Sequence, residues 1–564
     1  MKLNVNTELS KNVIKYALLS LVYLIIIKKF DAYSMLYTAR ESLHIEGPLV
    51  LIIYYAFYFC LKKGTSRYLV AALPVIVFYI ISEYYYRTWG SVFKFTTMKQ
   101  LPELIEVLDM TSLIAVSVFF IVLPLLYFWF LRPVSINHIF AASITAITFL
   151  GVMYMAPAVY LRYFELNRIN VSEYSDVESV YNNGRLAMAI YWEAKRRQAL
   201  RSLYNVSSGH AYLSRDLSQL IGEKRNIHII VMESFFDPLL MYKMKFSKDP
   251  VHPNFRESFN VIGISRSPVF GGRSAQAEFE ILCGAPALSE YDDIEFNLFG
   301  GGKADCMPNT FASLGYLTIA TNAFRPSYFN TDIAYRGLGF SEIHFPQENI
   351  KGRTSYFYNG DIQNEGFIFD GVLLDRNLEY IKSKIVDEHS IPIFNYIMTS
   401  YGHYPFKIDK NIRPKLISVA GDDSNNVDVI EKLSNQIYYR TAAVSEYLEK
   451  LRKVDPAGII ILVGDHLPSL DSPLAINKIG HYAYKKYGYL EEIEDNHMYS
   501  MFAYYAKDTI RPKEITEHYK IRELIEDVLV GKQHILVEHK DENTKTNRVL
   551  YRERYLFIMS QAVK

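Results

Sequence analysis

Four places in this chain set metal-ligating or nucleophilic side chains just beyond short apolar or glycine-rich runs. Glu233-Ser234 follows IHIIVM (227–232), His403 follows IPIFNYIMTSYG (391–402), and Asp465-His466 follows GIIILVG (458–464). A carboxylate, an imidazole and a carboxylate–imidazole pair mix oxygen and nitrogen donors, a set suited to a divalent ion of the zinc or manganese type. Singly, each has a plainer reading: an acid after a strand is a helix cap or a loop charge, and a lone histidine is structural. The fourth place is Ser274, within SRSPVFGGRSAQAEFEILCGAPAL (265–288), where Gly271-Gly272 permit a tight turn and an apolar helical pattern starts at Ala275. A hydroxyl at a helix N-terminus sits where backbone N–H groups and the dipole favour an anion. Coordination to a metal makes such a hydroxyl a nucleophile. Alternatively, Ser274 is a helix N-cap with Glu278 nearby.

The elements that must position these residues follow from the apolar runs. IHIIVM, YLTIAT (316–321), IPIFNYIMT (391–399) and GIIILVG alternate with amphipathic helical patterns. Runs buried on both faces and separated by helices imply an α/β domain with a mixed, largely parallel sheet. Ligands in such sheets sit at the carboxyl ends of the strands, where these residues lie. The last stretch, HILVEHKDENTKTNRVLYRERYLFI (534–558), reads as a β-hairpin around a polar turn.

The first 162 residues are of another kind. Thr111–Leu131 and Ile139–Leu161 are uncharged and long enough to cross a hydrocarbon core of about 30 Å. Val13–Ile27, Pro48–Leu61 and Tyr68–Tyr86 are weaker spans, giving an α-helical transmembrane bundle of about five. Lys2, Lys11, Lys62, Lys63, Arg67 and Arg132 crowd the short loops on one side, so the positive-inside bias sets the N-terminus inside and everything after Leu161 outside the cytoplasm. Residues 163–224 read as a helical juxtamembrane linker broken at Asn183-Gly184, either lying along the membrane surface or packed on the soluble domain. The expected organisation is 1–162 membrane, 163–224 linker, 225–510 catalytic and 511–564 a C-terminal helix and hairpin.

Across 564 residues, 61 Lys+Arg balance 60 Asp+Glu, which argues against a nucleic-acid partner. A 15% aromatic content with 21% charged residues excludes a disordered chain. Three cysteines exclude a disulfide-dense scaffold. Cys60 falls in an apolar run; Cys283 and Cys306, in an exported domain, form a disulfide or remain two buried thiols.

The order Glu233, then Gly272-Arg273-Ser274-Ala275-Gln276-Ala277-Glu278-Phe279, then Ser400-Tyr401-Gly402-His403-Tyr404-Pro405-Phe406, then Gly464-Asp465-His466 resembles the lipoteichoic acid synthases and membrane phosphoglycerol transferases. These are sulfatase-like members of the alkaline phosphatase superfamily, with lipid A phosphoethanolamine transferases as more distant relatives. The resemblance covers most of the chain and implies that Glu233, Ser274, Asp465 and His466 hold one divalent metal (Mn, Zn or Mg). It makes Ser274 the nucleophile, where the family usually has Thr, and gives His403 a contact to phosphate or to a leaving oxygen. In ATNAFRPSYFNTDIAYRGLGF (320–340), Phe329 and Thr331 stand where lipoteichoic acid synthases have Trp and Arg against a glycerol phosphate, leaving Arg325 or Arg336 to supply a cation. Cysteines like Cys283 and Cys306 occur in the phosphoglycerol transferases of glucan modification. The implied partners are a phospholipid donor, a glycan or polymer acceptor and the bacterial cytoplasmic membrane, with the catalytic domain outside it. A hydrolase with the same site and an inactive envelope scaffold are the alternatives. Formylglycine sulfatase chemistry is not expected, because Cys306-Met307-Pro308 lacks the Arg of that motif and Ser274 is followed by no Pro.

Overall fold

A computed structural model describes residues 2–61, 66–89, 92–100, 151–171, 176–203, 224–288, 294–359, 365–387, 391–404, 406–421, 424–468, 484–507, 514–530 and 545–564, with Gly64, Tyr291 and Leu470. The chain divides into two compact units, one built on Met1–Arg201 and the other on Ser202–Ser289, Asp293–Ser472 and Lys478–Lys564.

The first unit is helical: α1 (Lys2–Ala32), α2 (Leu43–Cys60), α3 (Ser66–Trp89), α4 (Pro157–Leu166), α5 (Asp176–Asn183) and α6 (Arg185–Leu203). Among the described residues, two stretches, 40–59 and 67–86, are long and apolar enough to cross a membrane. The Val13–Ile27 run lies inside α1, whereas 111–131 and 139–150 fall outside the described residues. The expected break at Asn183-Gly184 is present, Gly184 adopting φ +99° between α5 and α6.

Helix α6 packs into this first unit, Leu186, Ala187, Ile190 and Ala194 joining the cluster of Tyr23, Leu49, Tyr54 and Val75. The cause is Arg185, fully buried and facing Asp31 at 3.3 Å and Glu83 at 3.2 Å. Beside it, the backbone N–H of Leu186 donates to Glu46 Oε1 at 2.6 Å. A buried guanidinium is tolerable only with such partners, which fix the start of α6 among the ends of α1, α2 and α3.

The second unit is an eight-stranded sheet with strands β1 (Ile227–Met232), β2 (Val261–Arg266), β3 (Leu317–Asn322), β4 (Glu342–His344), β5 (Ile393–Met398), β6 (Ile459–Gly464), β7 (Tyr499–Tyr505) and β8 (Ile515–Glu517). Their order is β8-β2-β7-β6-β1-β5-β3-β4. Every pairing is parallel except those of β7 with β2 and with β6, so the sheet is mixed and largely parallel. Every residue of β1, β5 and β6 is buried, which is why each reads as a largely apolar run. Leu373, Leu374, Leu378 and Ile381 of α7 (Asp370–Asp387) and Ile437, Val444, Leu448 and Leu451 of α8 (Ser424–Val454) cover one face over Ile230, Ile397, Ile460 and Leu462.

The expected C-terminal hairpin is corrected in its second arm. Residues 531–544 lie outside the described set, and Lys545–Ala562 form a helix, α9. Tyr555, Ile558, Met559 and Ala562 are all fully buried, at the i, i+3, i+4, i+7 spacing of one helical face.

Candidate active site

Register places the site. Val231 of β1 is level with Met398 of β5, and Met232 with Gly464 of β6. The residues that follow, Glu233, Thr399 and Asp465, therefore leave the sheet side by side. Their backbones are stitched together: Glu233 N–H donates to Thr399 Oγ1 at 3.2 Å, and Ser234 N–H to Asp465 Oδ1 at 2.7 Å. Ser234 holds φ +51°, a left-handed bend that turns the chain sharply after β1.

Ser274 arrives from a different direction. Gly271, Gly272 and Arg273 all have positive φ, making the turn that the two glycines allow, and the helix Ser274–Cys283 begins immediately after it. The cap position belongs to Arg273, and the Ser274 hydroxyl makes no capping bond there. Instead its Oγ lies 3.3 Å from Glu233 Oε2 and 3.4 Å from His466 Nε2. His466 Nε2 lies 3.2 Å from Asp465 Oδ2 and 3.7 Å from Glu233 Oε1. Ligand atoms of Glu233, Asp465 and His466 all fall within 4.8 Å of one another, and all three residues are buried.

The chemistry of this cluster fits a divalent cation. Two buried carboxylates face each other across one imidazole, and Asp465 Oδ2, shut off from solvent, has no hydrogen-bond donor. Burial, with Glu233 beside it, pushes the Asp465 carboxyl up to about 6. Burial opposes charging of His466, but the Asp465 and Glu233 carboxylates prevail and raise it. His466 Nδ1 donates to the Leu467 carbonyl at 3.0 Å, which leaves the Nε2 lone pair for a metal.

His403 sits apart from that cluster, half-buried between rings. Phe367 lies 5.0 Å and Phe324 5.7 Å from it, centre to centre. Burial holds its imidazole below the usual range, and Nδ1 donates to the Tyr404 carbonyl at 2.8 Å. Nε2 is therefore unprotonated and free to accept. Phe324 in turn stacks on Tyr328 at 5.2 Å, so the segment after β3 does reach the His403 loop.

The residues expected to bind substrate are placed less tightly. Phe329 and Asn330 sit in a strained turn, with φ +49° and +59°. Arg336 is on the exposed side of a short helix, paired with Asp332 at 3.3 Å, and Arg325 is exposed beyond β3. Cys283 and Cys306 are joined in a disulfide.

Several supporting residues had no separate signal in the sequence. Glu278, one turn into the helix of Ser274, accepts hydrogen bonds from Tyr335 and, at 2.9 Å, Tyr396, and burial pushes its carboxyl up to about 7. His518 Nε2 donates to the Gly464 carbonyl at 3.0 Å, and the Ser267 hydroxyl donates to the Asp465 carbonyl at 2.6 Å. Only the position of Thr399, at the end of an apolar run, could have singled it out.

Comparison with known proteins adds three findings. A family model described as Sulfatase matches residues 225–524. A Rhizobium meliloti protein named for cyclic beta-1,2-glucan modification is 27% identical over 251 residues, 44% of this chain and 36% of that protein, so the match spans about a third of the relative. Among solved structures, a Streptococcus pyogenes phosphoglycerol transferase in complex with sn-glycerol-1-phosphate aligns at TM-score 0.44 and 17% identity, covering 65% of this chain and 91% of its own. The integral membrane lipooligosaccharide phosphoethanolamine transferase A of Neisseria meningitidis aligns at 0.46 and 12% identity, covering 87% and 94%.

Proposed function

This chain belongs to the sulfatase family, and on that premise we propose that it is a membrane-anchored, metal-dependent phosphotransferase. It moves a phospholipid-derived headgroup, phosphoglycerol or phosphoethanolamine, to an envelope glycan or polymer through a covalent phospho-Ser274. The observation that carries this reading is the aim of the Ser274 hydroxyl into the Glu233–Asp465–His466 cluster. The relative named for glucan modification supports a glycan as acceptor. About five spans with an inside N-terminus set the catalytic domain outside the cytoplasmic membrane, next to its lipid donor.

A divalent ion held by Glu233, Ser274, Asp465 and His466 would supply Lewis-acid stabilisation of phosphate charge and ease deprotonation of the hydroxyl. Ser274 Oγ forms a bond to the phosphorus of the donor diester as the bond to the diacylglycerol oxygen breaks. The serine proton ends on that departing oxygen. In the second half, His403 Nε2, holding a lone pair at neutral pH, takes the proton of the acceptor hydroxyl as that oxygen attacks phospho-Ser274. The proton passes to Ser274 Oγ as it leaves, and the free hydroxyl is restored. Helix N–H groups at Ser274 face the phosphoryl oxygens throughout.

Mass spectrometry of the protein after incubation with phosphatidylglycerol or phosphatidylethanolamine tests this. A phosphodiester adduct on Ser274, lost in Ser274→Ala together with turnover, is the expected result. No adduct, with activity intact in Ser274→Ala, would sink it. Product analysis with and without added glycan separates transfer from hydrolysis.

A further inference from the structure

We propose that Arg440 is a positioning residue for Glu233 and for the loop that carries His403, an inference that rests on the metal-site reading above. Arg440 lies on α8 with no solvent exposure. Its Nε donates to Asp370 Oδ2 at 2.6 Å, and that carboxylate, at the first residue of α7, is equally buried. One terminal nitrogen donates to the backbone carbonyl of Glu233 at 2.8 Å. The other lies against the α-carbon of Gly402, where a Cβ would stand 2.5 Å from it and 2.1 Å from the Glu233 carbonyl oxygen. One guanidinium thus touches the backbone of a metal ligand and the backbone next to His403.

The direction of the Glu233 carboxylate follows from the Ser234 hydroxyl, which donates to Glu233 Oε1 at 2.8 Å, and from the backbone at 233–234, which turns through the left-handed bend of Ser234. Three hydrogen bonds hold the backbone groups of that turn: Glu233 N–H to Thr399, Ser234 N–H to Asp465, and the Glu233 carbonyl to Arg440. The first two come from the neighbouring strand ends. Only the third comes from a helix on the face of the sheet, and it restrains the turn in a direction those two do not. An arginine fork can hold the Asp370 carboxylate and a carbonyl together; a lysine has one ammonium and cannot span both in this geometry. Groups that orient a metal ligand typically change metal affinity by roughly 10- to 100-fold when removed.

A purely structural role and a positioning role separate in a double variant. Arg440→Met alone strands Asp370 as a buried charge, whereas Arg440→Met/Asp370→Leu replaces the pair by apolar side chains and is compatible with folding. Mn2+ titration of the full-length protein in detergent, by calorimetry, reads the effect alongside the melting temperature in the absence of metal. The double variant is expected to melt near the wild type yet bind Mn2+ roughly 10- to 100-fold more weakly. Arg440→Lys, which keeps the Asp370 pair, is expected to fall between. Lys450→Met, removing an exposed pair on the same helix, is expected to leave Mn2+ affinity unchanged. Wild-type Mn2+ affinity in a folded double variant, or in Arg440→Lys should the double variant not fold, overturns the assignment. A wild type that takes up no Mn2+ overturns the metal-site reading and this inference with it.

Discussion

Glu278 shows how much the Ser274 helix depends on groups outside the Glu233–Asp465–His466 cluster. Its carboxylate is buried under two tyrosine hydroxyls, from Tyr335 and from Tyr396 on β5, which fasten the first turns of the helix to the sheet. Its folded-state pKa is raised by burial to about 7 from an ordinary 4.5. The folded chain therefore holds this proton more tightly than the unfolded chain. The stability it contributes is complete below about pH 4.5 and is lost as pH rises through about 7, a swing of about 3 kcal/mol. Glu278→Gln removes that titration, so melting curves between pH 5 and 8.5 should show the wild type losing stability relative to the variant as pH rises. Equal pH dependence in the two proteins would contradict this. Glu233, Ser274, Asp465 and His466 are legible in the sequence because each stands at the end of an apolar or glycine-rich run. Arg440, 207 residues from the carbonyl it holds, is not. Its partner is a backbone atom, and nothing in a residue's type announces that.

Among the elements, β1, β5 and β6 deserve to be considered as one unit, since their level ends set the spacing of the whole site. Thr399 closes the seam between two of them by accepting the Glu233 N–H. Thr399→Val keeps the shape and the preference for extended backbone but leaves that buried donor without a partner. Urea denaturation should show a loss of about 1–3 kcal/mol. An unchanged midpoint would mean that the seam is held elsewhere. These three strands and β3 are readable as largely apolar runs because both their faces are covered. β2 and the edge strands β4 and β8 carry no such run: Gly263 and Ser265 interrupt β2, and β4 and β8 are three residues each. The buried face of α9 repeats at helical spacing over 555, 558, 559 and 562, but only the first two of these positions fall within the 534–558 stretch that reads as a hairpin.

The molecule as a whole hides its division in an average. A mean hydropathy of +0.01 is the sum of a helical unit with apolar stretches and a charged α/β unit. The first unit carries apolar side chains such as Val13, Leu18, Leu21 and Ile25 exposed along α1, a surface that lipid would cover. Alkaline carbonate washing of membranes should accordingly leave the protein in the pellet and detergent should release it; release by carbonate alone would count against membrane anchoring. In the second unit, the Cys283–Cys306 disulfide closes a loop of 23 residues at the end of the Ser274 helix. Cys283→Ala/Cys306→Ala should lower unfolding free energy by about 3 kcal/mol in the chain-entropy model, read by denaturant titration. An unchanged free energy would show the bridge to be energetically idle.

Helix α9 has a consequence in time. Its Tyr555 packs on Phe279 of the Ser274 helix, Arg554 donates to the Cys283 carbonyl at 3.2 Å, and Gly300 N–H donates to the Ala562 carbonyl at 2.8 Å. These contacts come from a segment made 271 residues after the Cys283 carbonyl that Arg554 holds. Until α9 has been synthesised, the Ser274 helix has this side bare. The order of synthesis thus delays completion of that helix's surroundings until all eight strands of the sheet have already appeared.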